Sequence, residues 1–130
     1  MTESRHLSVS IDRPLAEVYA FASDPQNLPR WAPGLGSAVE RDGDGWFVET
    51  AQGRVGLTFA PQNEYGVLDH VVRTPTETVY MPARVIADGD ACEVVLTLRR
   101  TPGMTDAELD RDTALVTADL ALLKQVVEGL

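Results

Sequence analysis

Residues 6–31 read HLSVSIDRPLAEVYAFASDPQNLPRW and begin with the alternation of a β-strand. Over residues 6–11 every second side chain is apolar, which is the period of a strand with one buried face. Asp12 then offers an N-cap, and the fixed φ angle of Pro14 suits a first helical turn. The stretch therefore predicts a strand that leads directly into a short helix.

A second helix start follows at Asp24 and Pro25, where a capping side chain again precedes a proline. Pro29 and Pro33 lie on either side of Trp31, and prolines remove the backbone donors that a longer helix would use. The second helix is therefore predicted to be short, with Trp31 at its exit.

Turn residues divide residues 37–100 into six further strands with alternating side chains. The predicted turns lie at 42–45, 52–53, 61–66, 74–77 and 88–89. Each turn sets which residues of the flanking strands face each other. The turn at 88–89 places Arg84 opposite Glu93, an ion pair that makes Arg84 structural. The turn at 52–53 places Trp46 opposite Phe59 on the buried face.

The final 26 residues carry a strong helix signal. Thr105 and Glu108 form a capping box, and further acidic side chains in this turn suit the positive end of the helix dipole. A helix is therefore predicted over residues 105–129. Its apolar stripe must cover another surface, and the stripe consists of Leu109, Val116, Leu120, Leu123, Val127 and Leu130.

Composition limits the function classes. The chain has 130 residues, of which 44% are hydrophobic and 24% charged. This length and composition predict one globular domain over residues 1–130. Its net charge of -9 disfavours nucleic acid and anionic membrane surfaces as partners. No apolar run is long enough to span a membrane, the N-terminus has no signal core, and Cys92 is the single cysteine. We therefore expect a cytoplasmic protein, monomeric or homodimeric.

The order of one strand, two short helices, six antiparallel strands and a long C-terminal helix is the helix-grip arrangement. With it the chain resembles the START-like (SRPBCC) superfamily, which includes small polyketide cyclase/dehydrase-type proteins. The final helix also resembles that of the superfamily over residues 119–124. The other residues that carry the resemblance are Ile11, Pro14, Glu17, Val18, Tyr19, Asp24, Leu28, Pro29 and Trp31.

The resemblance spans essentially the whole chain and implies an α+β fold. A curved, seven-stranded antiparallel sheet would surround the long C-terminal helix, with a cavity between them that usually holds a small apolar ligand. Superfamily members range from lipid carriers to cyclases, so the fold does not decide the chemistry.

The first hypothesis is a binding module for a small hydrophobic molecule, cyclic or aromatic, held between the sheet and the helix. Its candidate binding residues are apolar or aromatic side chains on the faces predicted to be buried. Trp46 and Phe59 have an alternative role as ordinary core residues. The candidates are Trp31, Trp46, Leu57, Phe59, Met81, Leu96, Val116 and Leu120.

The second hypothesis is a cyclase, dehydratase or isomerase that uses His70 with Asp119 or Asp112 as an acid/base pair. The loop at 74–77 places His70 beside Met81 on the apolar face. Both aspartates fall inside the apolar arc of the C-terminal helix. The alternatives are a core histidine and carboxylates at the edge of the arc, which would pair with a surface arginine such as Arg5, Arg30 or Arg54.

A third hypothesis is a co-chaperone-like interaction module, whose cavity would be closed. None of the three requires a metal or cofactor. Asp42-Gly43-Asp44-Gly45 lacks the ligand spacing of a calcium loop, and Gly34 and Gly36 lack the third glycine of a dinucleotide motif. Tyr80 is predicted to face outward unless a bulge at Pro82 turns it.

Overall fold

The computed structural model describes residues 2–33, 38–43, 45–50 and 53–130, and these residues form eight strands and three α-helices. A 3-10 turn, Pro25–Asn27, precedes the second helix. In chain order the elements are β1 (Ser4–Ile11), α1 (Leu15–Ala22), α2 (Leu28–Trp31), β2 (Ala38–Asp42), β3 (Gly45–Thr50), β4 (Gly53–Phe59), β5 (His70–Arg73), β6 (Thr78–Met81), β7 (Ala83–Asp88), β8 (Ala91–Arg99) and α3 (Asp106–Glu128).

The strands form two antiparallel sheets that meet at Pro82. One has the order β2-β3-β4-β5-β6, and the other has the order β1-β8-β7. The helix-grip α+β prediction is confirmed, but the count of seven strands is wrong. Proline has no backbone N–H for a strand ladder, so a strand predicted as continuous is split at Pro82 into β6 and β7.

Two predicted hairpin registers are wrong by two residues. Asp88 pairs with Ala91, so the last turn is formed by residues 89–90, and Arg84 lies opposite Val95 instead of Glu93. Trp46 lies opposite Leu57 instead of Phe59. A shift of two residues leaves each side chain on its predicted face, because the side-chain period of a strand is two.

Other predicted turns and pairs have different outcomes. The pairing of His70 with Met81 is confirmed, as is the four-residue loop at 74–77 that joins β5 to β6. Of the turn residues named from the sequence, Gln52 and Asp44 lie outside the described residues, as does the Gly34–Gly36 segment.

The helix starts agree with the sequence at two of three places. The Thr105 hydroxyl accepts a hydrogen bond from the Glu108 N–H at 3.1 Å, as the capping box predicts. The Asp24 carboxylate caps the 3-10 turn. Asp12 is not an N-cap, because α1 begins directly after Pro14 and the Asp12 N–H donates to the Glu128 carboxylate instead.

The C-terminal half of α3 is tied to the start of the chain. Leu123 and Val127 are completely or almost completely buried in the core. Arg13 donates to the Glu128 carbonyl, and Lys124 donates to the carbonyl of Ser10. These contacts hold α3 against β1, so that its middle turns lie over the concave face of the sheet.

Candidate functional site

A cavity of about 280 Å³ lies between α3 and the concave face of the sheet. The wall includes every residue predicted for the site except Trp46. Its side chains come from α2, β4, β5, β6, β8, α3 and the segments that join them. The lining residues are Leu28, Trp31, Ala32, Leu57, Phe59, His70, Val72, Glu77, Val79, Met81, Leu96, Leu98, Arg99, Thr101, Met104, Asp112, Leu115, Val116, Asp119 and Leu120.

Trp46 lies outside this wall. It is half-buried against the core from β3, and the guanidinium of Arg41 lies 5.7 Å from the centre of its ring. Its cross-strand neighbour Leu57 lines the cavity, but Trp46 does not. The structure therefore supports the alternative of a packing role for Trp46.

Two aromatic rings belong to the cavity wall. Trp31, at the end of α2, is only 9% exposed, and no described residue accepts a hydrogen bond from its buried indole Nε1–H. Phe59, at the end of β4, lies beside His70 with 5.2 Å between the ring centres. Flat apolar surfaces of this kind suit aromatic ligands, and an unpaired donor is costly unless something binds it.

His70 presents a basic nitrogen to an apolar environment. Its Nδ1 lies 3.1 Å from the Leu68 carbonyl oxygen. A carbonyl can only accept, so Nδ1 carries the proton and Nε2 is the free acceptor when the ring is neutral. Burial lowers the pKa of His70 below its usual value, against the smaller opposing effects of the Leu68 carbonyl and Asp69. The ring is therefore neutral at physiological pH.

Asp119 is a partly buried carboxyl group on the cavity side of α3. Burial raises its pKa to about 6, because the apolar surroundings disfavour the charged form. Burial also raises the pKa of Asp112, with a contribution from Glu108 that Arg111 opposes. Within the described residues, neither aspartate forms a hydrogen bond to His70, so the three groups share a cavity without a direct link.

The surface arginines considered as partners for these aspartates bind elsewhere. Arg5 donates to Asp110 at 2.8 Å. The guanidinium of Arg30 lies 5.0 Å from the ring centre of Phe21. Arg54 forms ion pairs with Glu40 and Asp42 on β2. The alternative that these arginines neutralise Asp112 or Asp119 is therefore wrong.

Asp69, which was not predicted from the sequence, directly precedes β5 and joins β6 and β7 outside the cavity. Its carboxylate accepts hydrogen bonds from the Tyr80 hydroxyl, the Arg84 guanidinium and the Ala83 N–H. Burial raises the pKa of Asp69, but these bonds outweigh it and bring the pKa below the usual value. Tyr80 is half-exposed, so its predicted outward orientation is confirmed. Arg84 pairs with Asp69, not with Glu93.

The chain matches a known protein family over nearly its whole length. Residues 3–128 match the family described as polyketide cyclase / dehydrase and lipid transport. The chain belongs to this family. The START-like resemblance seen in the sequence is thereby confirmed, and with it a family-level role in hydrophobic-ligand binding or polyketide cyclisation. No curated protein matches the chain.

Solved structures confirm the fold at low sequence identity. An uncharacterized protein from Bacillus thuringiensis superposes with a TM-score of 0.77 at 12% identity, covering 96% of this chain and 98% of its own. Norcoclaurine synthase from Thalictrum flavum superposes with a TM-score of 0.66 at 16% identity, covering 99% and 96%. The di-domain ARO/CYC protein BexL has a TM-score of 0.71 at 19% identity, covering 97% of this chain and 46% of BexL. These likenesses concern the fold alone.

No helix among the described residues is long and apolar enough to cross a membrane.

Proposed function

We propose that this member of the polyketide cyclase/dehydrase family binds a small hydrophobic molecule, cyclic or aromatic, between the sheet and α3. The observation that carries the proposal is the cavity itself, about 280 Å³ with a mainly apolar wall. A dry apolar cavity of roughly 150 Å³ holds a benzene ring in other proteins. The volume here therefore suits a ligand of about two rings.

The affinity would come from apolar burial, and the polar groups would orient the ligand. Leu57, Leu96 and Leu120 are buried side chains that form part of the wall. Met81 adds a polarizable side chain that adapts to ligand shape. His70 and Asp119 supply the polar atoms that would select among apolar molecules of similar size.

Native mass spectrometry of freshly purified protein, followed by denaturing extraction, tests this proposal. We expect a bound small molecule whose mass identifies its chemical class. Val116→Phe places a larger side chain in the cavity and should abolish this adduct. Ala118→Phe adds the same ring at an exposed position of α3 outside the wall, and it should retain the adduct.

Two results contradict the binding proposal. One is an unliganded protein that also shows no thermal stabilisation with any apolar compound of one to three rings. The other is an adduct that persists in Val116→Phe, because the ligand would then lie outside this cavity. The open cavity already argues against the third hypothesis, an interaction module with a closed interior.

A second function, acid/base catalysis, is favoured by one observation. His70 and Asp119 line the same cavity. The Nε2 atom of the neutral His70 ring carries no proton, and the pKa of Asp119 is about 6. In this proposal His70 takes a proton from the bound molecule, and Asp119 or Asp112 is the other member of the acid/base pair. Cyclisation, dehydration and isomerisation all need such a transfer.

The catalytic proposal is tested with the compound that co-purifies. Mass spectrometry follows the conversion of that compound by the wild-type protein. Conversion should be lost in His70→Ala, while the circular dichroism spectrum stays the same. His6→Ala removes the other histidine, which lies on β1 and bonds to Thr97, and is the matched control. Unchanged kinetics in His70→Ala would remove His70 from the mechanism.

A further inference from the structure

The carboxylates of α3 divide into two groups according to their partners. Four of the six have a partner on or near the helix: Asp106 with Arg100, Glu108 with Thr105, Asp110 with Arg5, and Glu128 with Lys124. The remaining two, Asp112 and Asp119, have neither a hydrogen bond nor an ion pair among the described residues. These two are also the carboxylates that line the cavity.

The rest of the wall does not neutralise Asp119. Arg99 is the lining arginine, but its side chain is exposed and donates to the Ser4 hydroxyl. Glu77, also exposed, adds a further negative charge to the lining. His70 is neutral and offers an acceptor. At neutral pH the cavity therefore combines uncompensated negative charge with a free imidazole lone pair, and both favour a ligand that carries donors and a positive charge.

The aromatic part of the wall has the same preference. The faces of aromatic rings attract cations, and cavities that bind ammonium groups often use them. Trp31 and Phe59 both line this cavity. The net charge of -9 also favours the approach of cations over anions.

We propose that the ligand is a hydrophobic amine, with its ammonium group on the Asp119 carboxylate and its ring system among the apolar side chains of the cavity. This inference rests on the proposed binding function and narrows it to one chemical class. A carboxylic acid is disfavoured because its charge would lie beside Asp119 and Asp112. A neutral alcohol would leave Asp119 without a counter-charge.

Three probes with the same ring system separate these classes: 1-naphthylmethylamine, 1-naphthalenemethanol and 1-naphthoic acid. Isothermal titration calorimetry at pH 7.5 and constant ionic strength measures their affinities for the full chain. We expect the amine to bind at least about tenfold more tightly than the alcohol, as one charge-assisted hydrogen bond permits. The acid should bind more weakly than the alcohol.

Matched variants on α3 identify the anchor. In Asp119→Asn the amine should lose its advantage over the alcohol. Asp110→Asn removes a carboxylate from the same helix, one that pairs with Arg5 on the outside, and should keep the full advantage. The advantage should also disappear at pH 5, where Asp119 is protonated. The other titratable or charged side chains of the lining are His70, Glu77, Arg99 and Asp112.

Each outcome has a distinct meaning. If none of the three probes binds, the amine inference is overturned, and the proposed function falls with it only if the protein is also unliganded and is not stabilised by apolar compounds of one to three rings. If the alcohol or the acid binds as tightly as the amine, the cavity binds apolar molecules and only the amine inference fails. If Asp119→Asn keeps the amine preference, and its thermal unfolding transition shows that it is folded, Asp119 is not the anchor and the inference is overturned.

Discussion

Replacing Asp119 with asparagine should stabilise the unliganded protein at neutral pH. A carboxyl group whose pKa is higher in the folded than in the unfolded state contributes fully to stability at any pH below its unfolded pKa. That contribution is lost as the pH rises through the folded pKa. For Asp119 this window runs from 3.8 to about 6. At pH 7.5 the wild-type protein therefore holds a charge that its cavity disfavours, whereas an asparagine of the same shape carries none.

The size of the effect follows from the pKa of Asp119. A tenfold change in proton affinity corresponds to about 1.4 kcal/mol. A change from 3.8 to about 6 therefore disfavours the ionised form by about 3 kcal/mol. Asp119 keeps partial contact with solvent, which screens the charge, so we expect a gain of about 1–2 kcal/mol. For a domain of this size, that gain raises the melting temperature by roughly 3–10 °C.

Urea denaturation at pH 7.5 and pH 4 measures the prediction. The gain in free energy of unfolding should be present at pH 7.5 and should shrink at pH 4, where the wild-type carboxyl group is protonated in the fold. Asp110→Asn is the control and should give no gain, because it removes an exposed ion pair with Arg5. A gain of the same size at both pH values, or a loss at pH 7.5, would refute the assignment of an unfavourable buried charge.

Three further predictions concern other parts of the molecule. NMR of the imidazole rings should show that His70 titrates below pH 6.5 and that its neutral form carries the proton on Nδ1; a proton on Nε2 would contradict the observed hydrogen bond. Asp69→Asn should lower the free energy of unfolding by about 1–3 kcal/mol at pH 7, whereas Asp88→Asn at the exposed end of β7 should change it little. Because the pKa of Asp69 is lowered, its contribution is present above its unfolded value of 3.8 and lost as the pH falls through the folded value, so the difference between wild type and Asp69→Asn in urea should shrink in acid. Gly66→Ala should destabilise the protein by at least about 3 kcal/mol, because its φ is +77° and the added carbon would overlap the backbone of β7. Gly103→Ala has a similar φ of +82° with open space around it, and should cost only about 1–2 kcal/mol; equal losses of melting temperature would show that the overlap is not important.

Side-chain periodicity was sufficient to predict which faces are buried. The stripe on α3 located Asp112 and Asp119 on the cavity side, and alternation along the strands did the same for His70 and Met81. Periodicity did not determine register in two hairpins, because a shift of two residues preserves every face. That choice depends on the conformation of the turn, where Gly89 has a φ of +60° and is the first of the two turn residues.

Contacts between distant strands were harder to predict. The partners of Asp69 lie on β6 and β7, which meet only where the chain passes through Pro82. The sequence showed Arg84 and Glu93 with compatible charges but did not show that Asp69 was nearer to Arg84. Trp46 packs against the core as predicted, yet it does not reach the cavity that its cross-strand neighbour Leu57 lines.

The connectivity of the two sheets implies an order of folding. The strands β2 to β6 follow one another in the chain, so this meander forms from local hairpins. By contrast, β1 pairs with β8 across a separation of 95 residues between Ser4 and Arg99. Loop closure of that length is slow, so we expect β1 to join after the meander. The cavity wall includes α3, which is held against β1 and the residues that follow it, so the wall is complete only when that step ends. A bound molecule should therefore slow unfolding and leave the refolding rate unchanged.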